Sequence, residues 1–105
     1  MSHDKIIYST IKSIVRDYVP DAEVLLFGSR ARNDAKSDSD FDLLITTKQR
    51  FTAEKKISIR SAIRKALLKK NIRSDILLQS QEEVEQKKKL PGHIIRNIYK
   101  DAIIL

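Results

Sequence analysis

Apolar residues Ile7, Ile11, Ile14, Val15 and Tyr18 recur at helical spacing, which predicts an amphipathic helix over about residues 4–18. Pro20-Asp21 breaks that pattern. Residues 23–27 form a short, nearly all-apolar run of strand length, closed by Gly28. Residues 29–32 read as the opening turn of a short helix with Ser29 near its N-terminus, and residues 33–39 as a polar turn or loop. Residues 40–46 first alternate acidic or polar with apolar side chains and then become apolar throughout, as a strand with one functional face would. A long helix follows over about residues 52–70, with Ile59, Ala62, Ile63, Ala66 and Leu67 on one stripe. Lys56, Arg60 and Arg64 fall on its opposite face and read as an ordinary solvated surface. Asn71 ends this helix, and residues 73–79 give a third strand. Ser80 followed by Glu83 is a capping box for a charged helix to about residue 88. Pro91-Gly92 opens a last helix carrying Ile94, Ile95, Ile98 and Tyr99, and residues 102–105 are apolar enough to add an edge strand. Tyr18 and Tyr99, on apolar stripes, are expected in the core, and His93 at a helix start is expected at the surface or as a cap.

Strands alternating with helices point to an α/β (α+β) fold, a small mixed sheet of three to four strands packed against helices. The sheet should be mixed because the connection between the first two strands is too short for a crossover helix. At 105 residues the expectation is a single domain over 1–105 with a modest core. No cysteine occurs, which excludes disulfides and thiolate metal sites. No apolar run approaches a membrane span and the N-terminus shows no signal-peptide core, so the expectation is a cytoplasmic protein without a membrane partner. A net charge of +7 suggests an anionic partner: a nucleotide, a nucleic acid or an acidic protein. Nucleic acid is the weakest of these, since no basic stretch is interleaved with aromatic residues as a stacking platform would require.

The chemistry concentrates in Leu25-Leu26-Phe27-Gly28-Ser29-Arg30-Ala31-Arg32-Asn33 and Ser37-Asp38-Ser39-Asp40-Phe41-Asp42-Leu43-Leu44. Gly28 has no Cβ to keep a phosphate from the backbone. Ser29 offers a hydroxyl and a main-chain N–H at a helix start, where an anion is favoured, although it could equally be a plain N-cap. Arg30 and Arg32 could each reach a triphosphate oxygen or simply face solvent. Asp40 and Asp42 stand two apart on a strand and share a face, where their mutual repulsion is roughly 2–3 kcal/mol at an effective dielectric of ~20. Hard oxygen donors so placed select Mg²⁺ or Mn²⁺, and two such ions about 3.5–4 Å apart could activate an attacking oxygen and neutralise a leaving pyrophosphate. Asp75 is a third acid in an otherwise apolar strand; alone it would read as an edge-strand surface residue.

Together these segments resemble the nucleotidyltransferase signature of the DNA polymerase β superfamily: an apolar strand, Gly-Ser, Asp-x-Asp, and an acid on a later strand. In size and wording the chain resembles the minimal nucleotidyltransferases, many of them antitoxins paired with HEPN-domain ribonuclease toxins. The resemblance covers nearly the whole chain. It implies that Gly28 and Ser29 hold the triphosphate, with Arg30 and Ser39 as further nucleotide contacts. It also implies that Asp40 and Asp42 bridge two Mg²⁺ ions and that Asp75 binds the catalytic one and helps deprotonate the acceptor. ATP would be the substrate, and a tyrosine hydroxyl of a HEPN toxin the acceptor of AMP. Asn33 and Asp101 stand where members usually have glycine; asparagine is the residue that best replaces glycine in a left-handed conformation. The alternative is an antitoxin that neutralises its toxin by binding alone, with the site a relic.

Overall fold

A computed structural model of the chain describes residues 2–32 and 39–105. The expectations at Asn33 and Asp38 lie outside these residues. Among them the chain forms α1 (Ser2–Tyr18), β1 (Glu23–Phe27), α2 (Gly28–Ala31), β2 (Phe41–Thr47), α3 (Ala53–Leu68), β3 (Ser74–Ser80), α4 (Gln81–Lys88), α5 (Ile94–Asp101) and β4 (Ile103–Ile104). The strands form one mixed sheet in the order β3-β2-β1-β4. β1 is antiparallel to both β2 and β4, and β2 is parallel to β3. The short β1–β2 connection and the long helical β2–β3 connection account for that mixture.

Both faces of the sheet are covered, so the central strands are apolar on both sides. Leu43, Ile45, Ile76 and Leu78 pack with Ile11 and Val15 of α1 and Ile59, Ile63 and Leu67 of α3. Leu25 and Leu44 face Val84 of α4 and Ile95 and Ile98 of α5. The stop of α3 is explicit: Asn71 takes φ 62°, while Ile72 N–H donates to the Leu67 carbonyl at 3.0 Å and Asn71 N–H to that of Leu68 at 2.9 Å. That pair of bonds is a Schellman motif, and it turns the chain back into β3.

Two expectations fail at the surface. Tyr18 and Tyr99 are 45% and 36% exposed. Tyr18 lines a hollow of about 460 Å³ beside Val19 and Phe51, and Tyr99 lies under the Lys88 ammonium, 4.1 Å from the ring centroid. A phenol keeps its hydroxyl in water more cheaply than in a core that offers it no partner. Nor is Lys56 a solvated surface residue: it reaches the largely buried Glu83 at 2.7 Å, tying α3 to the start of α4.

Glu83 also completes the expected capping box, accepting from Ser80 N–H at 2.8 Å while its own N–H donates to Ser80 Oγ at 3.1 Å. Burial would raise its pKa, but the Lys56 ammonium and the Ser80 donors outweigh it and hold the carboxyl down to about 2 from an ordinary 4.5. A depressed carboxylate stabilises the fold above the unfolded value and loses that contribution as pH falls through the folded one. Acid unfolding between about pH 4.5 and 2 is therefore expected to weaken the natural chain by roughly 2–3 kcal/mol through this group. Urea melts across that range should show a flatter pH slope for Glu83→Gln; an unchanged slope would remove Glu83 from the account.

Candidate active site

The strand register gathers the acids. Phe27 of β1 is the Cα partner of Asp42 in β2, and Asp42 is the partner of Asp75 in β3. Asp42 and Asp75 therefore stand side by side at the starts of two parallel strands, on the sheet face of Leu44 and Leu77. Asp40 precedes β2 by one residue and is exposed, with Arg73 Nε 3.6 Å from its Oδ1. The polar approach to β2 is pinned from the other side. Arg30 Nε and Nη2 donate to the Ser39 carbonyl at 3.2 and 2.7 Å, and its guanidinium lies 4.3 Å from the centre of the Phe41 ring. Arg30 thus holds the segment that carries Asp40, a task its place in the sequence did not suggest.

Gly28 opens α2 with φ +74°, a left-handed backbone that other residues enter at a cost. Space is as decisive there as conformation. A Cβ on Gly28 would overlap Asp42 Oδ2 and come within 3.1 Å of its Cγ. The absent side chain therefore makes room first for a carboxylate of the neighbouring strand. Ser29 follows, half-buried, within the first turn of α2 and not at its N-cap: that position is Phe27, which caps with no side-chain bond. The plain capping role open to Ser29 in the sequence is not the one it has.

Burial, with the Asp75 and Asp40 carboxylates close by, pushes the Asp42 carboxyl up, against the pull of Arg32. That is the electrostatic signature of clustered acids short of positive charge. Among the described residues no three acidic or histidine side chains converge as a finished metal cage. Asp42 and Asp75 nevertheless form a pair of hard oxygen donors whose repulsion a divalent cation would relieve, so the residues fit such an ion. His93 does not join them; its Nδ1 accepts from Ile95 N–H at 3.1 Å and caps α5, as expected.

A groove of about 630 Å³ lies on the Asp75 side, between α3 and β3, with Asp40, Ser74 and Asp75 in its lining. Arg60 and Arg64, expected to be merely solvated, belong to the same lining. Gly28 and Asp42 do not.

A family model described as the nucleotidyltransferase domain matches residues 8–105, which contain all of these groups. The chain belongs to the nucleotidyltransferase domain family. The fold of this nucleotidyltransferase domain also recurs in solved structures. One is a crystal structure of a toxin–antitoxin with AMP-PNP, at 16% identity and TM-score 0.62, covering 91% of this chain and 69% of the other. Another is a tri-AMPylated HEPN toxin in complex with MNT antitoxin from Shewanella oneidensis, at 14% identity and TM-score 0.56, covering 95% and 69%. At those identities the likeness is one of fold. No curated protein matches the sequence. Among the described residues of this nucleotidyltransferase domain, no helix is long and apolar enough to cross a membrane.

Proposed function

We propose that this nucleotidyltransferase domain moves AMP from ATP to an acceptor hydroxyl, and that the acceptor is a tyrosine of a HEPN toxin for which it serves as antitoxin. The observation that carries the reading is the register Phe27–Asp42–Asp75, which sets two carboxylates side by side next to the glycine that opens α2. The structural neighbours that hold AMP-PNP, and that pair an MNT antitoxin with a tri-AMPylated HEPN toxin, support the donor and the partner.

In this mechanism Gly28 and Ser29 receive the triphosphate at the start of α2, with Arg30 and Ser39 shaping the approach. The acceptor oxygen attacks the α-phosphorus, the bond from that phosphorus to the β-phosphate oxygen breaks, and pyrophosphate leaves. The acceptor proton passes to the Asp75 carboxylate and then to water. Two Mg²⁺ ions held by Asp40, Asp42 and Asp75 would supply charge neutralisation on the attacking and leaving oxygens.

The test is transfer of label from α-³²P-ATP to a HEPN-domain protein supplied as partner, with Mg²⁺ and with EDTA. Label on a partner tyrosine only in the presence of Mg²⁺ is the expected result. Neutralisation of the partner without any label would leave the domain a binding antitoxin.

A further inference from the structure

We infer that the groove between α3 and β3 is the seat of the acceptor, and that it selects a short acidic polypeptide segment presenting its hydroxyl at Asp75. The inference rests on the reading of Asp75 as the carboxylate on the acceptor side. The groove meets the candidate site at Asp40 and Asp75, whereas Gly28, Ser29 and Asp42 do not line it. Because strand neighbours alternate, Ser74 and Ile76 line it from the α3 face and Asp75 from the outer edge of β3. A nucleotide lying against α2 would leave it open.

Its wall is built by one face of α3. Ile57, Ser61, Arg64, Lys65 and Leu68 recur at helical spacing, with Arg60 beside Arg64 one turn earlier. The buried stripe of the same helix, Ile59, Ile63 and Leu67, points into the core, so this second face is available to a ligand. Ile57 is 59% and Leu68 44% exposed, one at each end of the groove. Arg60, Arg64 and Lys65 bring three positive charges, and among the described residues none of them forms an ion pair. On the opposite wall Ser74 is buried and its Oγ has no hydrogen-bond partner among the described residues, directly before Asp75.

β3 is the edge strand of the sheet, so its outer backbone is not paired with another strand among the described residues. An edge strand, an unsatisfied hydroxyl, two apolar contacts and three cations suit an extended peptide with acidic side chains. They do not suit a nucleic acid. Among the described residues no aromatic side chain lines the groove, so an unpaired base finds nothing there to stack on. A volume of about 630 Å³ takes a few side chains, the size of a short-peptide or small-ligand site.

The experiment reads binding to the full chain, so it does not depend on catalysis. Three nine-residue peptides share a central tyrosine and one leucine and are flanked by glutamates, glutamines or lysines; the fourth probe is a nine-nucleotide RNA with a free 3′-hydroxyl. Affinity is followed by fluorescence anisotropy, and position by the methyl NMR signals of Ile57, Leu68 and Ile76. The glutamate peptide should bind about tenfold more tightly than the glutamine peptide, since three exposed ion pairs together supply about that factor. It should shift those methyl signals. The exposed double variant Arg64→Glu/Lys65→Glu should lose the preference and keep its affinity for ATP with Mg²⁺. Tighter binding of the RNA, no binding of any peptide, or binding that leaves these methyls unmoved overturns the inference. So does a variant whose ATP affinity falls in step, because the cations would then serve the nucleotide. The two readings fail separately. A glutamate peptide seated in the groove together with a toxin that takes no label refutes AMP transfer and keeps the groove; a labelled toxin alongside an ignored glutamate peptide refutes the groove alone.

Discussion

The Asp42→Asn protein is expected to melt at a higher temperature than the natural chain in metal-free buffer, and to lose the gain in ATP affinity that Mg²⁺ would bring on the proposed mechanism. Both halves follow from one cause. Burial and the adjacent Asp75 and Asp40 carboxylates raise the Asp42 pKa, so its ionised form is less comfortable folded than unfolded. An asparagine removes the repelling charge, keeps the shape, and leaves the room that Gly28 provides. What it cannot do is offer two anionic oxygens to a cation. Altering groups that merely support a ligand typically costs about 10–100-fold in metal affinity, and loss of a direct ligand should cost at least as much. Calorimetric titration of ATP with and without Mg²⁺ checks the second half, and thermal melting in EDTA the first. A variant that melts lower without metal and still gains affinity from Mg²⁺ would show that Asp42 is held by partners of its own and is no ligand.

Much of the architecture was legible because local signals agreed with one another. Residues 23–27 carried a strand, four apolar positions after Glu23 and closed by Gly28, and β1 has those bounds. Ser80 with Glu83 announced a capping box, and both of its bonds are made. The mixed sheet was expected because the first connection leaves no room for an ordinary crossover helix, and the apolar tail does pair with β1 as an edge strand. The failures share a different logic. Periodicity assigns a residue to a face of its own helix but is silent about what arrives from elsewhere. Lys56 was placed on the outward face of α3, and the side chain that makes it a half-buried ion-pair partner comes from Glu83, twenty-seven residues on. The same blindness hid the groove, which needs Arg60 and Arg64 of α3 beside Ser74 and Asp75 of β3.

At the candidate site, spacing found the acids but not how they are accommodated. Asp-x-Asp and the lone aspartate of the third strand pointed to one cluster, and the register places Asp42 against Asp75. Gly28 was read as clearance for a phosphate, whereas the atom that fills its space in the structure is an oxygen of Asp42. Arg30 was read toward the triphosphate, whereas its fork closes on the Ser39 carbonyl. Neither contact leaves a mark in a linear pattern, because each joins residues that stand nine or fourteen positions apart on different elements.

Asp75→Asn should separate catalysis from binding. On the proposed mechanism Asp40 and Asp42 suffice to collect the metal and the triphosphate, so nucleotide affinity should change little. Asp75 is exposed at the start of the edge strand, and a single isosteric replacement there removes no core contact. Folding is therefore expected to survive, and melting serves as the control. The loss should fall on the transfer step, where the carboxylate would take the acceptor proton and hold the catalytic ion beside the attacking oxygen. Positioned acid–base assistance alone is typically worth about 10²–10⁴-fold, and a misplaced metal adds to that. The rate of label transfer from α-³²P-ATP to the partner should thus drop by at least roughly two orders of magnitude while the apparent affinity for ATP is retained, the pattern of an interaction made in the transition state only. Raising the pH should not rescue the variant, since asparagine has no proton to lose in the accessible range. Transfer at the natural rate would mean that the neighbour of Asp42 is a bystander of the strand register, and that the acceptor meets another base.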